Sequence, residues 1–140
     1  MTKRKRKNFR IFPEQLSPTF MLKLPWPPSI NHYYGRTRTG QQFIGNKGKQ
    51  FRKEVIEYLR FIPDSDRSIG PEHRVQVWVE ASPPDRRRRD LDNLKKALLD
   101  ALTHAGVWQD DCQVDDLRVV RREPTKGGHV VVHVSVIPHE

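Results

Sequence analysis

Apolar and polar residues alternate from Thr19 to Leu24, with Phe20, Leu22 and Leu24 on one side and Thr19, Met21 and Lys23 on the other. A two-residue period predicts a strand, ended here by Pro25-Trp26-Pro27-Pro28. The period then disappears. Ser29 to Gly48 mixes Asn, Gly, Tyr and Arg and reads as one long loop, a length that in a small domain points to function or mobility. Over about residues 47–61 the period becomes helical. Phe51, Val55, Leu59 and Ile62 fall on one face, and Pro63 stops the helix. Val75, Val77, Val79 and Ala81 alternate with Arg74, Gln76, Trp78 and Glu80, which predicts a second strand. A second helix is expected over about residues 91–105, with a buried stripe of Leu91, Leu94, Leu98, Ala101, Leu102 and Ala105. Asp90 is its natural N-cap and Gly106 its natural C′ residue. A pair of strands, Leu117–Arg122 and Val130–Ile137, closes the chain, with Thr125-Lys126-Gly127-Gly128 as the turn between them. The order β-α-β-α-β-β predicts a single α+β domain, two helices packed on one mixed sheet.

The chain's 140 residues suffice for one domain with a modest core. No apolar run approaches the roughly 20 residues of a membrane span, and no apolar segment follows the first basic residues, so no secretory signal is expected. The lone Cys112 makes no intrachain disulfide and no Cys-rich zinc site, which suits a reducing cytoplasm. The formal charge of +9 changes the picture more, because it is unevenly placed. Residues 1–10 hold six basic groups and no acid, and Arg86 to Arg89 hold four more; elsewhere acids and bases nearly balance. Residues 1–17 therefore read as a flexible basic arm and residues 18–140 as the folded domain. Two basic blocks imply a polyanionic partner, bound with steep salt dependence.

The second block carries the candidate chemistry. Arg86, Arg87, Arg88 and Arg89 attract phosphate, yet they abut Asp90 and Asp92, which repel it. A divalent cation between carboxylates and a nucleic-acid backbone resolves the conflict. Residues two apart diverge within a helix, but at its start the N-cap has non-helical dihedrals and both carboxylates can converge. Asp92 and Lys96 stand at i, i+4 and share a face. A second acidic cluster, Asp110-Asp111 with Asp115-Asp116, follows the helix. It supplies a third ligand only if the chain brings it back to the helix start, since a helix of 15 residues is about 22 Å long. Aspartates suit Mg²⁺ or Mn²⁺, and a metal so held supports phosphodiester hydrolysis, with Lys96 stabilising developing charge. Taken singly, each feature has an ordinary explanation: a capping acid in the helix dipole, a solvated turn, a solvated lysine.

Three stretches together resemble the RusA-type Holliday junction endonucleases over about residues 20–138. They are Leu24-Pro25-Trp26-Pro27-Pro28-Ser29-x-Asn31-x-Tyr33-Tyr34, then Pro84-Asp85 through Arg89-Asp90-Leu91-Asp92-Asn93-Leu94-x-Lys96-Ala97, then Asp100-Ala101-Leu102-Thr103-x-Ala105-Gly106-x-Trp108-x-Asp110-Asp111-x-Gln113-Val114. The resemblance implies metal binding by Asp90, Asp92 and Asp111, with Lys96 as the fourth catalytic group. It also implies that Asp111 returns to the helix start. It further implies Mg²⁺ or Mn²⁺ dependence, a homodimer, and paired nicking of a four-way DNA junction, with no membrane partner and no small-molecule cofactor beyond the metal. DNA is expected to be held by Arg86, Arg87, Arg88, Arg89, Asn93 and Lys95, helped by Arg36, Arg38, Lys47 and Lys49 from the long loop. The cytoplasm of a bacterial or phage-infected cell is the expected compartment. Two competing readings are a DNA-binding protein whose acids only cap and tune, and a nucleotide-sugar enzyme whose Asp-x-Asp holds Mn²⁺. The second needs a larger nucleotide-binding domain than this chain offers and leaves the arginines without a task.

Overall fold

A computed structural model describes residues 14–139. Its elements are β1 (Phe20–Pro25), α1 (Ile30–Tyr33), β2 (Tyr34–Arg36), β3 (Gln42–Ile44), α2 (Asn46–Leu59), β4 (Val75–Ser82), α3 (Leu91–His104), a 3₁₀ turn (Asp111–Gln113), β5 (Val114–Arg121) and β6 (His129–Val136). The fold is α+β, with α2 and α3 packed through the core against one mixed sheet ordered β1-β6-β4-β5. β4 runs parallel to β5 and antiparallel to β6, which is antiparallel to β1.

The alternating patterns fold as expected. Phe20, Leu22 and Leu24 pair in register with Val134, Val132 and Val130, and those in turn with Val77, Val79 and Ala81. All of these are buried and build the sheet's inner face. Phe51, Val55 and Leu59 of α2 and Leu94, Ala97, Leu98, Ala101 and Leu102 of α3 cover it. Ile62 lies beyond the end of α2 but still packs on the core.

Three expectations need correction. Ser29–Gly48 is not a plain loop: it holds α1, the β2–β3 hairpin and the start of α2. Elements of three or four residues are too short to show a period; fully buried Tyr33 anchors this one instead. Its carbonyl accepts the Gly45 N–H at 2.9 Å, and the backbone of Gly48 lies so close to that carbonyl that no Cβ fits there. Next, the two closing strands do not pair with each other. β4 lies between them, because β4 and β5 are joined through α3 and such a crossover places strands parallel. Last, the expected arm at residues 1–17 is in part anchored. The Leu16 N–H donates to Gln76 Oε1 at 2.9 Å, and Gln76 Nε2 to the Glu14 carbonyl at 3.3 Å. The rest of the arm, residues 1–13, lies outside the described residues.

The β4-α3-β5 unit positions the chemistry. α3 begins where β4 ends and runs back along the sheet, so its N-terminus lies at the C-terminal edge of β4 and β5. Its C-terminus, closed by Gly106 at φ +84°, lies at their opposite edge. Trp108 locks the return: buried, it donates its indole N–H to Thr103 Oγ1 at 2.7 Å, and the Thr103 hydroxyl donates to the Leu99 carbonyl.

Candidate active site

At the first end of α3, Pro83-Pro84 leaves β4 and the arginine run turns the chain into the helix. Asp85 organises this turn. It accepts from Arg89 Nη1 at 2.6 Å and from the Arg87 N–H at 2.9 Å. The Arg89 guanidinium first, and that backbone N–H second, hold its carboxyl down at about 2. Arg121 of β5 donates to the Arg89 carbonyl at 2.7 Å, pinning the turn to the sheet edge. Arg86 pairs with Glu123 at 2.9 Å. So the four arginines are not equivalent. Arg86, Arg87 and Arg89 each have an acid partner within the chain, whereas Arg88 is exposed with none among the described residues.

Asp90 takes the N-cap position with extended dihedrals, φ −88° and ψ 132°, but its side chain makes no capping hydrogen bond. A capping acid accepts from the second or third helical N–H; this one does not, so its oxygens are free. Asp92 is exposed within the first turn, bridged at 3.1 Å by Lys95 rather than by Lys96. Lys96 instead places its ammonium 5.7 Å from the centroid of the Tyr34 ring. Asn93 is exposed beside them.

Asp92, Lys96 and Asp100 form one stripe down α3 at i, i+4 and i+8. Its far end is a different environment. Asp100 accepts from the Tyr33 hydroxyl and from Arg52 Nη2 at 2.7 Å, while Arg52 Nε donates to the Tyr33 oxygen at 2.9 Å. Burial, then the hydrogen bond to Asp100, pushes the Tyr33 hydroxyl well above the ordinary tyrosine range. Sequence reasoning quoted Tyr33 and Asp100 only inside motifs and missed Arg52 altogether. An arginine beside Phe51, on a helix otherwise sorted into apolar and solvated faces, was the available signal.

Asp111 belongs to this second end. Desolvation, then its neighbour Asp110, then the charge of Asp100 raise its carboxyl above the usual range. Asp110 titrates low, since its side chain accepts the Cys112 N–H at 2.9 Å and closes a capping box with Gln113. Buried Gln113 donates to the carbonyls of Gly70 and His73, which fixes the turn to the start of β4. The expected return of Asp111 to the helix start therefore does not occur within one chain. Between Asp90 and Asp100, the carboxylate that Asp111 senses, lies about 15 Å of helix. Among the described residues no three His, Cys, Asp or Glu side chains lie close enough to hold a metal ion. The reason is topological: Asp111 immediately precedes β5, and the site at Asp90 lies at that strand's other end.

The remaining expected DNA contacts are exposed. Arg36 and Arg38 lie on the β2–β3 hairpin, with Arg36 Nη1 donating to the Gly40 carbonyl at 3.1 Å, and Lys47 and Lys49 lie in the first turn of α2.

The model of the family described as Endodeoxyribonuclease RusA matches residues 25–135. The chain is 45% identical over 122 residues to "Crossover junction endodeoxyribonuclease RusA" of Shigella sonnei (strain Ss046), and 44% identical to the protein of that name from Escherichia coli (strain K12). It is 46% identical to "Crossover junction endodeoxyribonuclease rusA" of Enterobacteria phage 82. Each match covers 87% of this chain and 98% of the relative.

Proposed function

The chain belongs to the RusA endodeoxyribonuclease family, and from that premise we propose that it is a Mg²⁺-dependent endonuclease that resolves four-way DNA junctions by paired nicks. The observation that carries this reading is a pair of exposed carboxylates, Asp90 and Asp92, at a helix start flanked by arginines, with Asp90 making no cap bond. Acids serving only as caps would be hydrogen-bonded to the first helical turn, and Asp90 is not. That favours catalysis over a DNA-binding protein without chemistry.

The donor set fits Mg²⁺ or Mn²⁺: exposed carboxylate oxygens two residues apart, directly following a run of arginines suited to a phosphate backbone. Asp90 and Asp92 would hold the ion, with Asp111 as the third donor. Bound there, the metal supplies Lewis-acid polarisation of the scissile phosphate and a more acidic water. The chain's own residues do the rest. Arg88, without an acid partner among the described residues, holds the phosphate next to the cut, with Asn93 beside it. Lys96, one turn below Asp92, brings its ammonium to the charge that develops on the phosphoryl and leaving oxygens.

Because Asp111 lies at the other end of α3, the reading takes a homodimer in which each site combines Asp90 and Asp92 of one chain with Asp111 of the second. Two-fold symmetry then presents two such sites to two strands of a junction. The cytoplasm of a bacterial or phage-infected cell is the compartment this activity implies.

The test is nicking of a mobile four-way junction in Mg²⁺, with Asp90→Asn as comparison. Symmetric nicks by the wild type, and binding without nicks by the variant, support the reading. Equal nicking by both removes Asp90 from the site. Salt-sensitive binding with no nicking by either protein returns the chain to the class of non-catalytic binders.

A further inference from the structure

We propose that the groove between the Pro25–Ser29 segment and the start of α3 is a nucleotide pocket, which captures one unstacked base of the strand being cut. The proposal rests on the endonuclease reading and gives a task to the chain's proline-rich motif around Trp26, which that reading leaves unused.

The groove is open to solvent and offers about 1020 Å³, just above the roughly 300–1,000 Å³ of clefts that engulf small ligands. One wall is α2, whose Lys47, Gln50, Phe51 and Glu54 fall on a single face at helical spacing. A second is Pro25 to Ser29, with Trp26 among its lining side chains. The third is the site itself: Arg88, Arg89, Asp90 and Asn93 all line the same space. A nucleotide here therefore lies directly beside the candidate metal ligand.

The pocket is built rather than incidental. Gly128 has φ +70°, and a Cβ on it would approach Pro84 Cδ to 2.8 Å and Trp26 Cβ to 3.1 Å. Glycine there lets Trp26 and Pro84 close together under the groove. Pro27 and Phe51 are buried beneath it. The chemistry of the lining is divided in the way a nucleotide is. Lys47 and Arg88 are cations suited to phosphate. Trp26 is an aromatic surface on which any base can stack. Gln50 Nε2 donates to Glu54 Oε1 at 3.2 Å, and this donor–acceptor pair is suited to a base edge. A base that has left the stack can reach such a groove, and unstacking costs least where the base is already unpaired, as at the branch point of a junction.

The experiment is nicking of four-way junctions in which each nucleotide flanking the cut is in turn replaced by an abasic one, using the full chain, Trp26→Ala and Glu54→Gln. On intact junctions Trp26→Ala is expected to cut about tenfold more slowly, as lost base stacking implies. On the junction abasic at the captured position it cuts at the wild-type rate. Glu54→Gln, which keeps the side chain's shape, changes the relative rates with the four natural bases at that position and at no other. An equal loss by Trp26→Ala on intact and abasic junctions at every position overturns the proposal and leaves Trp26 a purely structural role. If Trp26→Ala fails to fold, Glu54→Gln alone decides: unchanged relative rates overturn the proposal. Absence of nicking by the wild type on every junction defeats the endonuclease reading instead, so the two failures are distinguishable.

Discussion

The two ends of α3 carry similar residues in opposite environments. At the N-terminal end Asp90 and Asp92 are exposed, and Asp90 makes no cap bond. At the other, Asp100 is clamped by Tyr33 and Arg52, and Asp111 is held above its ordinary pKa by partial desolvation and its acidic neighbours. At one end Asp90 makes no cap bond, and at the other Asp100 is held by two side chains. The difference teaches that a stripe of acids and a lysine on one helix need not be one site within one chain. The length of β5 separates Asp111 from Asp90.

The largest effect expected from this contrast is on chemistry. Asp92→Asn and Asp111→Asn should each reduce nicking by about 100-fold or more, although they lie at opposite ends, while junction binding persists. If Asp111→Asn nicks normally, the second end has no catalytic part.

Stability should separate the ends in the reverse sense. Tyr33→Phe removes the hydroxyl that donates to Asp100 and leaves the Arg52–Asp100 pair less satisfied, so it should cost about 1–3 kcal/mol in urea unfolding. Asp90→Asn, which breaks no hydrogen bond of the folded chain, should stay within about 0.5 kcal/mol. Comparable losses for both would erase the distinction between an open end and a clamped one.

Binding should distinguish the arginines. Arg88→Ala should lower junction affinity and reduce the slope of log K against log salt by about 1. Arg86→Ala should lower both less, because Glu123 already pairs with that side chain. Equal slopes would mean that the pairing does not persist in solution.

The smallest effect is in pH. Asp111 titrates higher folded than unfolded, so its contribution to stability is full below the ordinary carboxylate pKa and is lost as pH rises through its raised value. Asp111→Asn should therefore melt slightly above wild type at neutral pH, and the gap should close as the pH falls below about 4. A gap that does not change with pH would show that neither desolvation nor the neighbouring acids perturb Asp111.

Much of this contrast was legible in the sequence, and the missing parts share one cause. β1, α2, β4 and α3 could be read because each buries one face and exposes the other, which writes a period into the chain. Asp90 at the helix start and Gly106 beyond its end follow from local backbone chemistry. The β2–β3 hairpin could not be read, since strands of three residues hold no period. The placement of β4 between β5 and β6 depends on pairing between distant segments. The clamp on Asp100 is likewise tertiary, as Tyr33 lies 67 residues away and Arg52 lies 48 away. The same holds for Asp111: the acids were identifiable, but their separation depends on the direction of β5.

The most direct test of the account is complementation between inactive variants. Asp92→Asn and Asp111→Asn proteins are mixed, allowed to exchange subunits and assayed for nicking a four-way junction in Mg²⁺. If each site takes Asp92 from one chain and Asp111 from the other, every mixed dimer regains one intact site, and nicking returns to about a quarter of the wild-type level. If the mixture stays as inactive as its components while subunit exchange is shown to be complete, the two ends of α3 do not meet across a dimer, and the shared site is wrong.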